Sequence, residues 1–207
     1  MITILDYGLG NVRAFQNVYH RLSIPVSIAS TSEELKKATR IIMPGVGAFD
    51  GAMKRLDGSG LRPALEECVL GRHVPFLGVC VGMQMLASTS EEGHLPGLGW
   101  VSGRVRRFSE ASHGRGLRVP HMGWNDIKAA RNDGLLAELG QDARFYFLHS
   151  YYFETDSQDA MIASANYGAD FTCAIRSGNV YGVQFHPEKS HRWGMRLLEN
   201  FARTVPA

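Results

Sequence analysis

The chain has 207 residues, of which 44% are apolar and 20% charged, and its formal charge is +2. These are ordinary values for a globular domain that buries about 70% of its unfolded surface, and neither points to a polyanion partner. Three cysteines (Cys68, Cys80 and Cys173) with no CxxC pair argue against a disulfide framework or a cysteine zinc site.

The N-terminal run has neither a basic n-region nor a long apolar h-region, and no stretch approaches the ~18 apolar residues of a membrane span. A cytoplasmic protein is expected. Residues 2–6 read as a buried first strand, closed by Tyr7, Gly8, Leu9, Gly10 and Asn11. Val12, Phe15, Val18, Tyr19 and Leu22 then recur at helical spacing. Residues 24–30 read as a second strand, and Thr31 before Glu33 and Glu34 marks a helix start. Residues 40–47 read as a third strand, 48–70 as helical, and 74–79 as a fourth strand. Such alternation predicts a mostly parallel sheet with helices on both faces. From residue 98 the texture is strand-rich, with 145–154 read as strand and helix expected only over 132–139 and 191–203. One α/β domain over 1–207 is expected, its parallel sheet extended by antiparallel strands in the C-terminal half.

Three short motifs carry chemistry. Cys80 stands between Gly78 and Gly82 at the end of a strand. Glycines there permit a sharp strand-to-helix turn, and the positive end of a helix favours a thiolate. A small buried filler reads equally well from this pattern alone. In the motif at 180–190, His186 and Glu188 project to one side of an extended chain, and Pro187 forbids helix. A histidine oriented by a carboxylate activates a thiol; a surface turn is the plainer reading. Residues 44–47, Pro-Gly-Val-Gly, let a backbone N–H approach a developing oxyanion.

Taken together, residues 78–84, 44–47 and 186–188 resemble the class I, triad-type glutamine amidotransferases. Residues 6–11, 119–125, 147–152 and 183–190 extend the resemblance over essentially the whole chain. It is closest to the glutaminases that serve a (β/α)8-barrel cyclase in histidine biosynthesis. The resemblance implies a flavodoxin-like three-layer fold and hydrolysis of L-glutamine through a Cys80 thioester. His186 is then the general acid and base, and Glu188 orients it. The backbone N–H of Val81, with that of Val46 or Gly47, forms the oxyanion hole. Gln84, Glu92 and the backbone of His149, Ser150 and Tyr151 hold the substrate. Asn11, Pro120, Met122, Trp124 and Lys189 face the cyclase in a heterodimer, which receives the ammonia. No cofactor, metal, nucleic acid or membrane is implied.

Other readings fit less well. A dinucleotide fingerprint after the first strand needs a third glycine where Arg13 stands. Arg104, Arg106 and Arg107, with Arg115 and Arg118, form a basic patch without interleaved exposed aromatics. A glutaminase feeding a different synthase, such as one that amidinates a sugar, and a hydrolase of another γ-glutamyl amide remain as alternatives.

Overall fold

The protein is described from a computed structural model covering residues 1–114 and 116–204. Arg115 of the basic patch lies outside the described residues. The chain runs through β1 (Ile2–Leu5), α1 (Val12–Arg21), β2 (Val26–Ala29), α2 (Ser32–Leu35), β3 (Ile41–Gly45), α3 (Phe49–Gly58), α4 (Arg62–Glu66), β4 (Phe76–Cys80) and α5 (Val81–Gln84). It continues through β5 (Thr89–Ser90), β6 (Gly103–Arg107), α6 (Glu110–His113), β7 (His121–Asp126), β8 (Lys128–Ala129), β9 (Arg144–His149) and β10 (Tyr151–Thr155). The last elements are β11 (Met161–Tyr167), β12 (Ala169–Ser177), β13 (Val180–Val183) and α7 (His191–Arg203).

The main sheet has strand order β2-β1-β3-β4-β13-β12-β10-β6-β5. The pairs from β2 to β13 are parallel, and β12, β10 and β6 then add antiparallel pairs. The expected sheet is thus present. Fully buried runs such as Ile41–Gly45 and Phe76–Cys80 explain it, because a parallel strand is covered on both faces. The first helix starts where Asn11 accepts the Ala14 N–H at 3.1 Å, and α2 starts in a capping box between Thr31 and Glu34.

Two sequence readings need correction. Residues 132–139 hold only one 3-10 turn, Gly134–Leu136, started by the Asp133 carboxylate on the Leu135 N–H. The apolar Leu135 satisfies helix spacing but is buried by a turn that ends at Ala137. Residues 145–154 are two strands. β9 pairs with β7 in a separate antiparallel ribbon, and β10 joins the main sheet beyond Ser150. Both halves carry the same apolar, aromatic texture, so composition hides the break. No helix among the described residues is long and apolar enough to cross a membrane.

Candidate active site

β3, β4 and β13 are neighbouring parallel strands, so their carboxyl ends open on one edge of the sheet. Open α/β sheets bind ligands at that edge. Cys80 is the last residue of β4, Val46 follows β3, and the chain leaving β13 reaches His186 three residues after Val183. The β4–β13 register, Val79 opposite Val183, accounts for the meeting of residues more than 100 positions apart.

The backbone at Cys80 is strained, with φ at +56° and ψ at −115°. A Cβ at Gly78 would run into the Gly82 carbonyl oxygen, and one at Gly82 into that of Met43. Close packing of the turn on β3 therefore requires glycine on both sides. The helix that follows is only four residues long, so its end contributes little field to favour a thiolate. A non-glycine residue in such a conformation costs about 1–3 kcal/mol. Glycine carries no such strain, although its freer unfolded chain offsets part of the gain. Cys80→Gly is expected to be more stable than Cys80→Ala by about 1 kcal/mol in denaturant midpoints. Equal midpoints would mean that the turn stores no strain.

His186 and Glu188 meet through a different local geometry from the one expected. Residues Pro187–Lys189 form a 3-10 turn with proline at its first position, where its missing N–H costs nothing. His186 Nδ1 lies 2.9 Å from Glu188 Oε1, and both side chains are 5% exposed or less. The Ser190 hydroxyl fastens the turn by donating to the His186 carbonyl at 2.6 Å and accepting the Tyr146 N–H at 3.0 Å. Glu188 Oε2 is buried with no hydrogen-bond partner among the described residues, which leaves the carboxylate's charge to His186. Burial by itself disfavours the imidazolium. Hydrogen bonds to Cys80 and Glu188, with the charges of both, outweigh burial and lift His186 to about 10. A thiol beside an imidazolium held by a carboxylate is a nucleophile with its proton donor.

Cys80 and His186 open on a cavity of about 320 Å³. It is also lined by Val46, Gly47, Val81, Gln84, Glu92, His149, Ser150 and Tyr151, the oxyanion and substrate candidates of the sequence. Pro120 and Lys189, read as partner contacts, line it too, whereas Asn11, Met122 and Trp124 do not. Gln84 does not face solvent. It is 2% exposed and donates to the Tyr151 carbonyl and to Gln184 Oε1, both at 3.0 Å. Glu92 accepts the Phe49 N–H at 2.8 Å; burial raises its carboxyl, that bond lowers it, and Asp50 raises it, with a net upward shift. Trp124 is 40% exposed and stacks on His191 at 5.4 Å, so it is a surface side chain and not part of the core.

Two residues near the thiol were given no role from the sequence, although both lie in segments that carry the resemblance. Gln184 is fully buried, with Nε2 at 3.8 Å from Cys80 Sγ, and the Leu148 carbonyl lies 3.9 Å from the same sulfur. Asp50 accepts the N–H groups of His94 and Leu95 at 3.1 Å and so anchors the loop that carries Glu92.

The family model described as glutamine amidotransferase class-I matches residues 3–205. Imidazole glycerol phosphate synthase subunit HisH of Bdellovibrio bacteriovorus is 60% identical over 202 residues, covering 98% of this chain and 99% of that protein. The subunit of the same name from Leptospira interrogans is 52% identical with the same coverage, 98% and 99%. Among solved structures, PurLQS from Thermotoga maritima superposes with a TM-score of 0.68 at 16% identity, covering 97% of this chain and 96% of that one, a likeness of fold.

Proposed function

We propose a glutaminase reaction for this chain, which belongs to the class I glutamine amidotransferase family. The observation that carries it is the meeting of Cys80 and His186 at one cavity, beyond the ends of adjacent parallel strands, with Glu188 buried behind His186 at 2.9 Å. The Cys80 thiolate attacks the side-chain carboxamide carbon of L-glutamine. Charge passes to the carboxamide oxygen, against the N–H of Val81 and one from Val46 or Gly47. His186 gives its proton to the departing nitrogen, ammonia leaves, and a γ-glutamyl thioester remains. Water then attacks the thioester, His186 takes the water's proton, and glutamate is released with the thiolate restored. Glu188 keeps His186 oriented and stabilises its charge. Glu92 receives the substrate's α-ammonium, and Gln84 with the backbone of 149–151 frames the rest.

The ammonia is consumed by a docked partner, as in a synthase of histidine biosynthesis with a (β/α)8-barrel cyclase, in the cytoplasm. Support comes from the relatives' shared name and from the cavity's surroundings. Met122, Trp124 and Leu148 are large apolar side chains exposed by 66%, 40% and 39% on the β7–β9 ribbon beside the cavity. Val46 adds 42% at the rim, and Lys189 lies over the Tyr146 ring at 5.8 Å. Exposed apolar groups gathered beside a polar cavity suit a docked protein.

Glutamate release from glutamine by the purified chain, alone and with the cyclase loaded with its nucleotide substrate, tests the reading. Release is expected to rise with the loaded cyclase and to vanish in Cys80→Ala. Release that needs Cys80 but ignores the cyclase would assign a different synthase. No release in either state would sink the glutaminase itself.

A further inference from the structure

His121 and Asn125, in the motif at 119–125, have no part in the reaction above. His121 begins β7 and His149 ends β9, opposite each other in the ribbon, and both rings are buried at 4% and 6% exposure. Asn125 Nδ2 lies 3.2 Å from His121 Nε2, His121 Nδ1 lies 2.9 Å from His149 Nε2, and His149 Nδ1 lies 2.8 Å from the Tyr151 carbonyl oxygen.

Backbone groups fix both ends of this line. A carbonyl oxygen only accepts, so His149 Nδ1 carries the hydrogen. At the other end, Asn125 Nδ2 donates to the Asn166 carbonyl at 2.8 Å, and Asn125 Oδ1 accepts the Asp126 N–H at 2.9 Å. The amide therefore cannot be reversed, and its N–H points at His121 Nε2. His121 Nδ1 must then donate to His149 Nε2. Every bond runs one way, and both rings are neutral with hydrogen on Nδ1. A proton added to either ring would set two donors face to face. The surroundings favour the same state. Phe147 and Tyr167 stack on His121 at 4.8 and 4.1 Å, and burial pushes that ring down to about 4. Burial, opposed by the Tyr151 bond and aided by His121 and His186, brings His149 to about 3.

The line ends at the cavity. The Tyr151 carbonyl that accepts from His149 also accepts from Gln84, which bonds Gln184, whose amide nitrogen faces Cys80 Sγ. The segment 149–151, which joins β9 to β10, lines the cavity.

We propose that His121 and His149 are positioning residues, a one-directional hydrogen-bond line from β7 that holds the 149–151 segment in the shape that binds glutamine. This rests on the glutaminase reading, and its test begins with a readout independent of turnover. In protein labelled with ¹⁵N-histidine at pH 7, two-bond nitrogen–proton couplings should show His121 and His149 both protonated on Nδ1 alone. Either ring found on Nε2 or as imidazolium overturns the proposal. His121→Phe keeps the ring stacking and cuts the line. It should raise KM for glutamine about tenfold, the size of one hydrogen bond, with a much smaller change in kcat. His121→Asn, whose amide nitrogen stands where the ring's Nδ1 does and restores the N–H donor to His149, should recover most of the loss. An unchanged KM in folded His121→Phe overturns the role. If that variant does not fold, Asn125→Leu cuts the line one bond further out with the same expectation. Correct tautomers in a protein that does not hydrolyse glutamine would instead be a failure of the glutaminase reading.

Discussion

Cys80→Ser is expected to lower glutamate release by about 10⁴-fold or more, because removing a nucleophile removes the covalent route and not one contact along it. The substitution exchanges one sulfur for oxygen and keeps the side chain in the same strained turn, so His186, Glu188 and the cavity walls stay in place. What changes is the group's willingness to ionise beside His186. Alkylation by iodoacetamide gives an independent reading. Cys68 and Cys173 are fully buried, and burial raises both thiols, so neither offers a thiolate to the reagent. Cys80 opens on the cavity. One label per chain, lost in Cys80→Ser, is the expected stoichiometry. Serine activity within tenfold of the unaltered chain would remove Cys80 from the chemistry.

The parallel half of the fold was legible because its strands are short apolar runs set off by glycine, proline, asparagine or, after β2, serine and threonine, a pattern that needs no long-range knowledge. Cys80 was legible for a related reason, since Gly78 and Gly82 mark a close approach of backbone on both sides. The strand break at Ser150 was not. Nothing in Phe147, Leu148, Tyr151 and Tyr152 distinguishes a ribbon from the main sheet, and only the pairing with β7 separates them. The Pro187 turn was misread because proline is as compatible with the first residue of a 3-10 turn as with an extended chain. The side-chain contacts of Gln184, Asp50 and the His121–His149 pair were not legible because they depend on partners 28 to 104 residues away. Such contacts are set by topology, and a buried glutamine or histidine reads locally as an ordinary strand residue.

Glu188→Gln is expected to cost about 10²–10⁴ in kcat and to shift the pH profile downward. The amide still fits the turn, and its oxygen still accepts from His186 Nδ1 across the distance now spanned at 2.9 Å. The charge is gone, however. Burial then opposes the imidazolium with one fewer counterweight, so His186 falls below about 10, while the bond and charge of Cys80 still hold it up. The sign for stability follows from the raised value. A histidine whose folded value lies above its unfolded one adds stability that is complete below about pH 6.5 and is lost as pH rises through about 10. In the unaltered chain the His186 contribution should fade across that window. In Glu188→Gln the fading should begin and end at lower pH. Titration of His186 by NMR in both proteins measures the shift directly, and the alkaline limb of glutamate release should move with it. An unchanged His186 midpoint would mean that Cys80 alone holds the charge, and that Glu188 only shapes the turn.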